Sequence, residues 1–244
     1  MPQQRKDRID QPGSVAVVIP TFNEAESIAA VVAELPRDIV SRVIVADGGS
    51  RDGTAERACA AGAEVITVGR GYGRACLAGA EVAADAAIIV FMDGDGADNP
   101  AVIGPLVAPI RAGVCDFVVA SRARGEREAG SMASHQLLAG HMAGWLTKLL
   151  YGVRYTDMCA FRAIRRDTLF ALGMREMTYG WNLEMQMRVA RRGLRVRELP
   201  VVYRRRLGGR SKVAGSISGS LNAGAKIVTT FARVALEPMR RRAR

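Results

Sequence analysis

Short apolar runs alternate with helical patterns along the first half of the chain. The runs occupy residues 15–19, 43–46, 64–68, 88–92 and 116–120, and segments with helical spacing separate most of them. Near-continuous apolar runs of this kind are typical of parallel strands that are covered on both faces by helices. The pattern predicts an α/β fold with a mainly parallel sheet, in which the loops that follow the strands meet at one edge.

The second half of the chain is less regular. Residues 137–150 and 181–192 have helical spacing, 159–164 and 194–203 are typical of strands, and 216–236 predict a final helix. We expect an N-terminal tail at 1–13, one α/β domain at 14–215, and a C-terminal helix with a basic tail at 216–244. No apolar run approaches the roughly 18–20 residues that span a bilayer, and the N-terminus shows no secretory signal.

The composition is that of a soluble globular protein, but the chain is strongly basic. Its 244 residues carry a formal net charge of +11. Residues 188–212 hold ten Lys or Arg residues against one acid, Glu198, and four of the last five residues are arginines. This bias indicates a polyanionic partner, which is a substrate phosphate, an anionic membrane surface or a nucleic acid.

The four cysteines are scattered and form no C-x-x-C pair. We therefore expect reduced, mostly buried thiols in a cytoplasmic protein, with no disulfide framework and no structural zinc site.

Two carboxylates follow the fourth apolar run. Asp93 and Asp95 occupy alternate positions, so on an extended chain their side chains point to the same side. Like charges this close need a cation or a proton between them. Oxygen ligands on a loop suit Mg²⁺ or Mn²⁺, which also bind substrate phosphates. A solvated Asp-Gly turn is the alternative interpretation.

Two other polar loops follow predicted strands. The first strand leads into Pro20-Thr21-Phe22-Asn23-Glu24, and the second into Asp47-Gly48-Gly49-Ser50-Arg51-Asp52-Gly53-Thr54. At the same edge as the acidic pair, such groups can hydrogen-bond a base and a ribose while a metal on the acidic pair neutralises a departing nucleoside diphosphate. Helix capping and turn formation explain each loop taken singly.

Taken in order, these motifs resemble those of family 2 glycosyltransferases with the GT-A fold. The likeness is strongest to the dolichol-phosphate mannose synthase and polyprenyl-phosphate glycosyltransferase branch. It continues through Gly71-Tyr72-Gly73-Arg74-Ala75-Cys76, Ser121-Arg122, Asp157-Met158-Cys159-Ala160-Phe161-Arg162 and Gly209-Arg210-Ser211-Lys212. The resemblance implies a metal-dependent, inverting transfer of a hexose from a nucleoside diphospho-sugar to a polyprenyl or dolichyl phosphate.

The resemblance also implies which residues bind the donor. Asp93 would contact the donor sugar or the ribose, and Asp95 the metal and the diphosphate. Relatives place a Gln where this chain has Ala97, so either Asp98 or a water molecule would supply the missing metal ligand. The remaining candidates for the nucleotide-sugar pocket are Pro20, Asn23, Glu24, Asp47, Arg206 and Lys212.

For the acceptor, the resemblance implies that Arg122 binds the acceptor phosphate or the donor diphosphate. Glu184 falls near the position of an acidic residue that serves as the catalytic base in relatives with hydroxyl acceptors. A phosphate acceptor is already anionic and has little need of a base. Residues 131–141 lack an arginine that relatives use on the acceptor phosphate, so a soluble or cell-envelope acceptor stays open as an alternative.

A basic nucleic-acid-binding module is the alternative from a different class of protein. Aromatic residues make up only 5% of the chain, which argues against a stacking platform, and we expect no nucleic-acid partner.

The final predicted helix has two interpretations. It has an apolar stripe formed by Ile217, Leu221, Ala225, Val228, Ala232 and Ala235. The helix either packs on the domain or, with the arginines that follow, attaches a cytoplasmic enzyme peripherally to an anionic membrane surface.

Overall fold

A seven-stranded sheet forms the centre of the protein. The computed structural model describes residues 13–132, 134–208 and 217–238. The strands are β1 (Val15–Thr21), β2 (Arg42–Asp47), β3 (Glu64–Thr67), β4 (Ile88–Phe91), β5 (Phe117–Ser121), β6 (Arg162–Arg165) and β7 (Val196–Pro200). Their order is β3-β2-β1-β4-β6-β5-β7, and every pairing is parallel except those of β6 with β4 and β5.

Helices connect the strands, as the alternating pattern predicts. They are α1 (Ile28–Ala33), α2 (Thr54–Ala60), α3 (Tyr72–Val82), α4 (Ile103–Arg111, after a 3₁₀ turn at Pro100–Val102), α5 (Ser134–Tyr151), α6 (Arg166–Leu172), α7 (Trp181–Arg191) and α8 (Ile217–Leu236). Residues 15–19 of β1 are all fully buried. Successive side chains of a strand point to opposite faces, so both faces of the sheet are covered at this strand and the predicted fold class is confirmed.

Two helices, α4 and α6, have no counterpart in the sequence prediction. The segment that forms α4 contains Gly104, Pro105 and Pro109, which are ordinary signs of a loop. Burial of Ile103, Leu106, Val107 and Ile110 against the sheet outweighs these local preferences.

The sheet brings the polar loops together. β2, β1 and β4 are parallel neighbours, so the chain leaves all three at the same edge. Hydrogen bonds join the loops there: the Ser27 hydroxyl donates to the Gly94 carbonyl (2.7 Å), and the Asn23 amide donates to the Ser50 hydroxyl (2.8 Å). The prediction that these loops share one edge is confirmed.

The described part of the C-terminal helix packs on the rest of the protein. Ile227, Phe231 and Val234 form a cluster with Leu183 and Met187 of α7. The predicted stripe matches this buried face only in part: Ala235 packs on the cluster, whereas Ala225, Val228 and Ala232 are exposed. Among the described helices, none combines the length and apolar character needed to cross a bilayer. The division of the chain at 13/14 and 215/216 stays a prediction.

Candidate active site

Three carboxylates are confined within one short loop after β4. Asp95 and Asp98 are buried, and the loop turns at Gly96, whose φ of +80° is in the region that favours glycine. The Asp98 carboxylate accepts the Asp93 amide (3.1 Å), and the Asp95 carboxylate accepts the Ala97 amide (2.9 Å). Burial and then the charge of Asp95 raise the pKa of Asp93 to about 7, and burial with both neighbours raises the pKa of Asp98 well above its ordinary value. The loop therefore favours a bound cation.

The carboxylates of this loop supply only some of the ligands that a divalent cation needs. Among the described residues, no group of three His, Cys, Asp or Glu side chains is arranged as a complete metal site. Mg²⁺ is often held by one or two carboxylates, with waters and substrate phosphates completing the coordination. Asp95 and Asp98 match such a partial set, which would be completed by the diphosphate of a nucleotide.

The loops after β1 and β2 are held in place by their own polar groups. One oxygen of Asp47 accepts the amides of Gly49 (3.0 Å) and Ser50 (2.8 Å). The Asn23 side chain accepts the Arg51 amide (3.2 Å), and its backbone adopts a positive φ of 53°. The structure thus brings Asn23 and Asp47 to the same edge as the acidic loop. Here the carboxylate of Asp47 shapes the turn, and its contact with a base stays a prediction.

Arg206 joins the first of these loops to the acidic loop. Its Nη2 atom lies 3.1 Å from the carboxylate of Glu24 and 3.1 Å from that of Asp95. The next residue along the chain, Leu207, donates its amide to the Asp95 carbonyl (2.9 Å). Arg206 therefore lies beside Glu24 and Asp95, and its binding of the donor stays a prediction, while Lys212 lies outside the described residues.

Arg122 is held by the carboxylate of Asp157, which lies 35 residues further along the chain. No spacing in the sequence predicts this pair. Asp157 accepts the backbone amide of Arg122 (2.9 Å) and its Nε (2.8 Å) and Nη2 (2.8 Å) atoms. Burial alone would raise the pKa of Asp157, but the hydrogen bonds and charge of Arg122 outweigh it and hold this pKa below its usual value. The guanidinium also lies 5.0 Å from the ring centroid of Tyr203. Its third nitrogen, Nη1, takes no part in this pair and is the one suited to an anionic ligand.

Glu184 is held by four hydrogen bonds within the protein. This fully buried carboxylate accepts the amides of Arg175 (3.0 Å) and Glu176 (2.6 Å) on one oxygen. The other oxygen accepts Arg188 Nε (2.9 Å) and Arg233 Nη1 (3.0 Å). Of these four donors only Arg233 lies on α8, and the role of Glu184 as a catalytic base stays a prediction.

Similarity to known proteins identifies the family. Residues 16–173 match the family model described as glycosyl transferase family 2. The chain belongs to glycosyltransferase family 2. An uncharacterized glycosyltransferase of Mycobacterium tuberculosis is 36% identical to this family 2 enzyme over 210 residues, which are 85% of this chain and 93% of that relative.

Two further similarities concern the substrates and the fold. An undecaprenyl-phosphate mannosyltransferase of Micrococcus luteus is 33% identical over 226 residues, with 84% of this chain and 89% of that protein covered. The structure of glucosyl-3-phosphoglycerate synthase from Mycobacterium tuberculosis, in complex with Mn²⁺, uridine-diphosphate-glucose and phosphoglyceric acid, superposes with a TM-score of 0.75. That pair is 22% identical, with 94% of this chain and 82% of the synthase covered. The family 2 enzyme is thus a glycosyltransferase with the GT-A fold.

Proposed function

We propose that this enzyme transfers a hexose from a nucleoside diphospho-sugar to a polyprenyl phosphate, with inversion at the anomeric carbon. The observation that carries the acceptor class is the similarity to the undecaprenyl-phosphate mannosyltransferase, which extends over 89% of that protein. Two features of the site support it: an acidic loop suited to a diphosphate-bound cation, and an arginine held ready for a second anion.

The donor would lie along the edge formed by the loops after β1, β2 and β4. Pro20, Asn23, Glu24 and Asp47 would surround the nucleotide, and Asp93 would contact the donor sugar or the ribose. Mg²⁺ or Mn²⁺, bound by Asp95 with Asp98 and diphosphate oxygens, would neutralise the charge that develops on the departing nucleoside diphosphate. Arg206 lies beside Asp95 and adds positive charge at the same place.

The acceptor phosphate would bind at Arg122. Its Nε and Nη2 atoms are occupied by Asp157, which leaves Nη1 to bind a phosphate oxygen and to orient it toward the anomeric carbon. Attack by that oxygen forms the new sugar–phosphate bond as the bond to the nucleoside diphosphate breaks, which inverts the configuration. The nucleophile is anionic at neutral pH and needs no general base.

The test is a transfer assay with two acceptors. The purified enzyme is incubated with Mg²⁺ or Mn²⁺ and a panel of radiolabelled nucleoside diphospho-sugars, with either a water-soluble short-chain polyprenyl phosphate or 3-phosphoglycerate. We expect label in an acid-labile, butanol-extractable phosphodiester. Label found only on 3-phosphoglycerate would replace the proposed acceptor by a soluble phosphorylated metabolite, and absence of transfer to either would contradict both.

A further inference from the structure

Helix α5 carries large apolar side chains on its outer face. The exposed fractions are 61% for Leu138, 57% for Met142, 58% for Trp145 and 69% for Leu149. These residues, named here the α5 stripe, are spaced by four, three and four positions, so they lie on one side of the helix. A helix of a soluble domain ordinarily turns such a stripe toward the core.

The inner face of α5 holds small residues. Gly140, Ala143, Gly144 and Thr147 lie on the side opposite the stripe. A Cβ atom at Gly144 would overlap the carbonyl of Tyr155, and one at Gly140 would lie 3.5 Å from the Cα of Asp157. The close approach of this backbone leaves no room for a large side chain, so rotation of the helix cannot bury the stripe.

We propose that the α5 stripe is a docking surface for an anionic phospholipid bilayer. The proposal rests on the proposed function, because a polyprenyl phosphate acceptor is itself held in a membrane. The chemistry of the helix fits this partner in charge as well as in apolar character. Between Glu128 and Asp157 the sequence contains no acidic residue. Arg154 lines a groove beside the stripe together with His141, Met142, Trp145 and Leu146.

A combination of aliphatic, tryptophan and basic side chains suits the boundary between the headgroups and the acyl chains of a bilayer. Tryptophan is enriched at that depth, aliphatic side chains insert below it, and basic side chains bind the anionic headgroups above it. A second copy of the chain fits less well. A symmetric pair would place the same face on both sides of the contact, where Lys148 and Arg154 of one copy would find no acid in residues 129–156 of the other.

The α5 stripe is also joined to the acceptor arginine. Helix α5 belongs to the insertion between β5 and β6, and the two ends of that insertion are tied together. The hydroxyls of Ser121 and Thr156 are 2.7 Å apart, and Arg122 is paired with Asp157 one residue further along on each side. A bilayer held at the α5 stripe would therefore lie against the same insertion that presents Arg122.

The tryptophans allow a direct test of contact. The chain has two, and Trp181 is fully buried whereas Trp145 is in the stripe. Wild-type protein is mixed with phosphatidylcholine vesicles that contain 30% phosphatidylglycerol or none, with brominated acyl chains as the quencher. We expect tryptophan quenching and a blue shift with the anionic vesicles, smaller changes with the neutral ones, and loss of the quenching in Trp145→Phe.

A matched pair of variants tests the surface. Met142→Ser/Leu149→Ser should lower partition into anionic vesicles at least tenfold. Val114→Ser alters a side chain that is also 58% exposed but lies outside α5, and its partition should stay within twofold of the wild type. Flotation without quenching by brominated lipid would overturn the proposal, because another surface would then hold the protein. A concentration-dependent dimer without vesicle binding would overturn it in favour of a second copy.

The proposed function is tested separately by the short-chain acceptor, which requires no vesicle. Bilayer contact through Trp145, without transfer to the short-chain polyprenyl phosphate, would support the docking surface and reject the proposed function. Transfer to that acceptor, without bilayer contact through Trp145, would reject the docking surface alone.

Discussion

Asp157→Asn tests the roles of Arg122 in both acceptor binding and stability. The wild-type carboxylate is 2% exposed and receives three hydrogen bonds from Arg122, two of them from the guanidinium. Asparagine has nearly the same shape, but it has no charge and its amide group is itself a donor. At least one charge-assisted hydrogen bond is therefore lost, and Arg122 is left partly unpaired.

Two effects follow, a loss of stability and a loss of acceptor binding in the transition state. Breaking a buried ion pair by removing one partner costs about 3–5 kcal/mol, and asparagine, which keeps one acceptor, should fall near the lower end. For a protein of this size such a loss lowers the Tm by roughly 6–12 °C. Misplacing a guanidinium that binds an anion removes about 1.5–3 kcal/mol, which is roughly a 10- to 150-fold fall in kcat/KM for the acceptor.

Asp116→Asn is a matched control because Asp116 makes the same three contacts with Arg195. It accepts the amide (3.0 Å), Nε (3.1 Å) and Nη2 (2.8 Å) of that arginine, whose side chain is 57% exposed. Solvent screens this pair, so we expect a much smaller change in Tm and acceptor kinetics within twofold of the wild type. The measurements are thermal unfolding and steady-state kinetics with varied acceptor at saturating donor.

The pH dependence gives an independent check. The pKa of Asp157 is lowered in the folded protein, so its contribution to stability is full above the unfolded pKa and is lost as the pH falls through the folded value. The difference in Tm between wild type and Asp157→Asn should hold from pH 7 to about 5 and shrink below about 4. The reasoning is refuted if Asp157→Asn and Asp116→Asn lower the Tm equally and neither changes kcat/KM for the acceptor.

Three further predictions concern the metal, the helix contacts and the thiols. Asp95→Asn or excess EDTA should each reduce transfer on the order of 10²-fold while leaving the far-UV circular dichroism unchanged; full activity in EDTA would rule out the metal. Gly144→Ala should destabilise the protein by about 1–3 kcal/mol in urea unfolding, whereas Gly224→Ala, which meets no atom within 4 Å, should be neutral or stabilising. Native protein should react with Ellman's reagent at Cys59 alone, since the other three cysteines are buried, and four thiols should react in denaturant.

The sheet and its functional edge are predictable because their causes are local. Each strand of the first half is a separate apolar run, and the right-handed crossovers between parallel strands fix where the loops go. The position of β6 is not predictable in this way. An extended segment at 159–164 is visible in the sequence, yet its antiparallel insertion between β4 and β5 depends on contacts with strands about 45 and 75 residues away.

The candidate site also contains features with local causes and features that depend on residues distant in the sequence. Asn23, Asp47, Asp93 and Asp95 lie at the ends of strands or just after them, so the fold brings them to one edge as the motifs imply. The carboxylate that orients Arg122 lies 35 residues further along the chain, and nothing in the spacing pairs the two. One partner of Glu184 is equally hard to foresee from the sequence, since Arg233, which binds it, lies 49 residues away on another helix.

The segment after β7 connects the two halves of the site. Its backbone amides donate in turn to the loop that carries Arg122 and to the acidic loop. Val201 and Tyr203 donate to the carbonyls of Ser121 (3.2 Å) and Glu126 (2.9 Å), while Arg204 and Leu207 donate to those of Ala97 (3.1 Å) and Asp95 (2.9 Å). Two side chains of the segment contact the same two loops: the Tyr203 ring packs on Arg122, and Arg206 pairs with Asp95. Because only three positions separate these two side chains, one short stretch of backbone carries both Arg206, at the acidic loop, and the ring that packs on Arg122. The central part of the basic region from 188 to 212 therefore contacts both the proposed donor pocket and the loop of the proposed acceptor arginine, in addition to supplying positive charge.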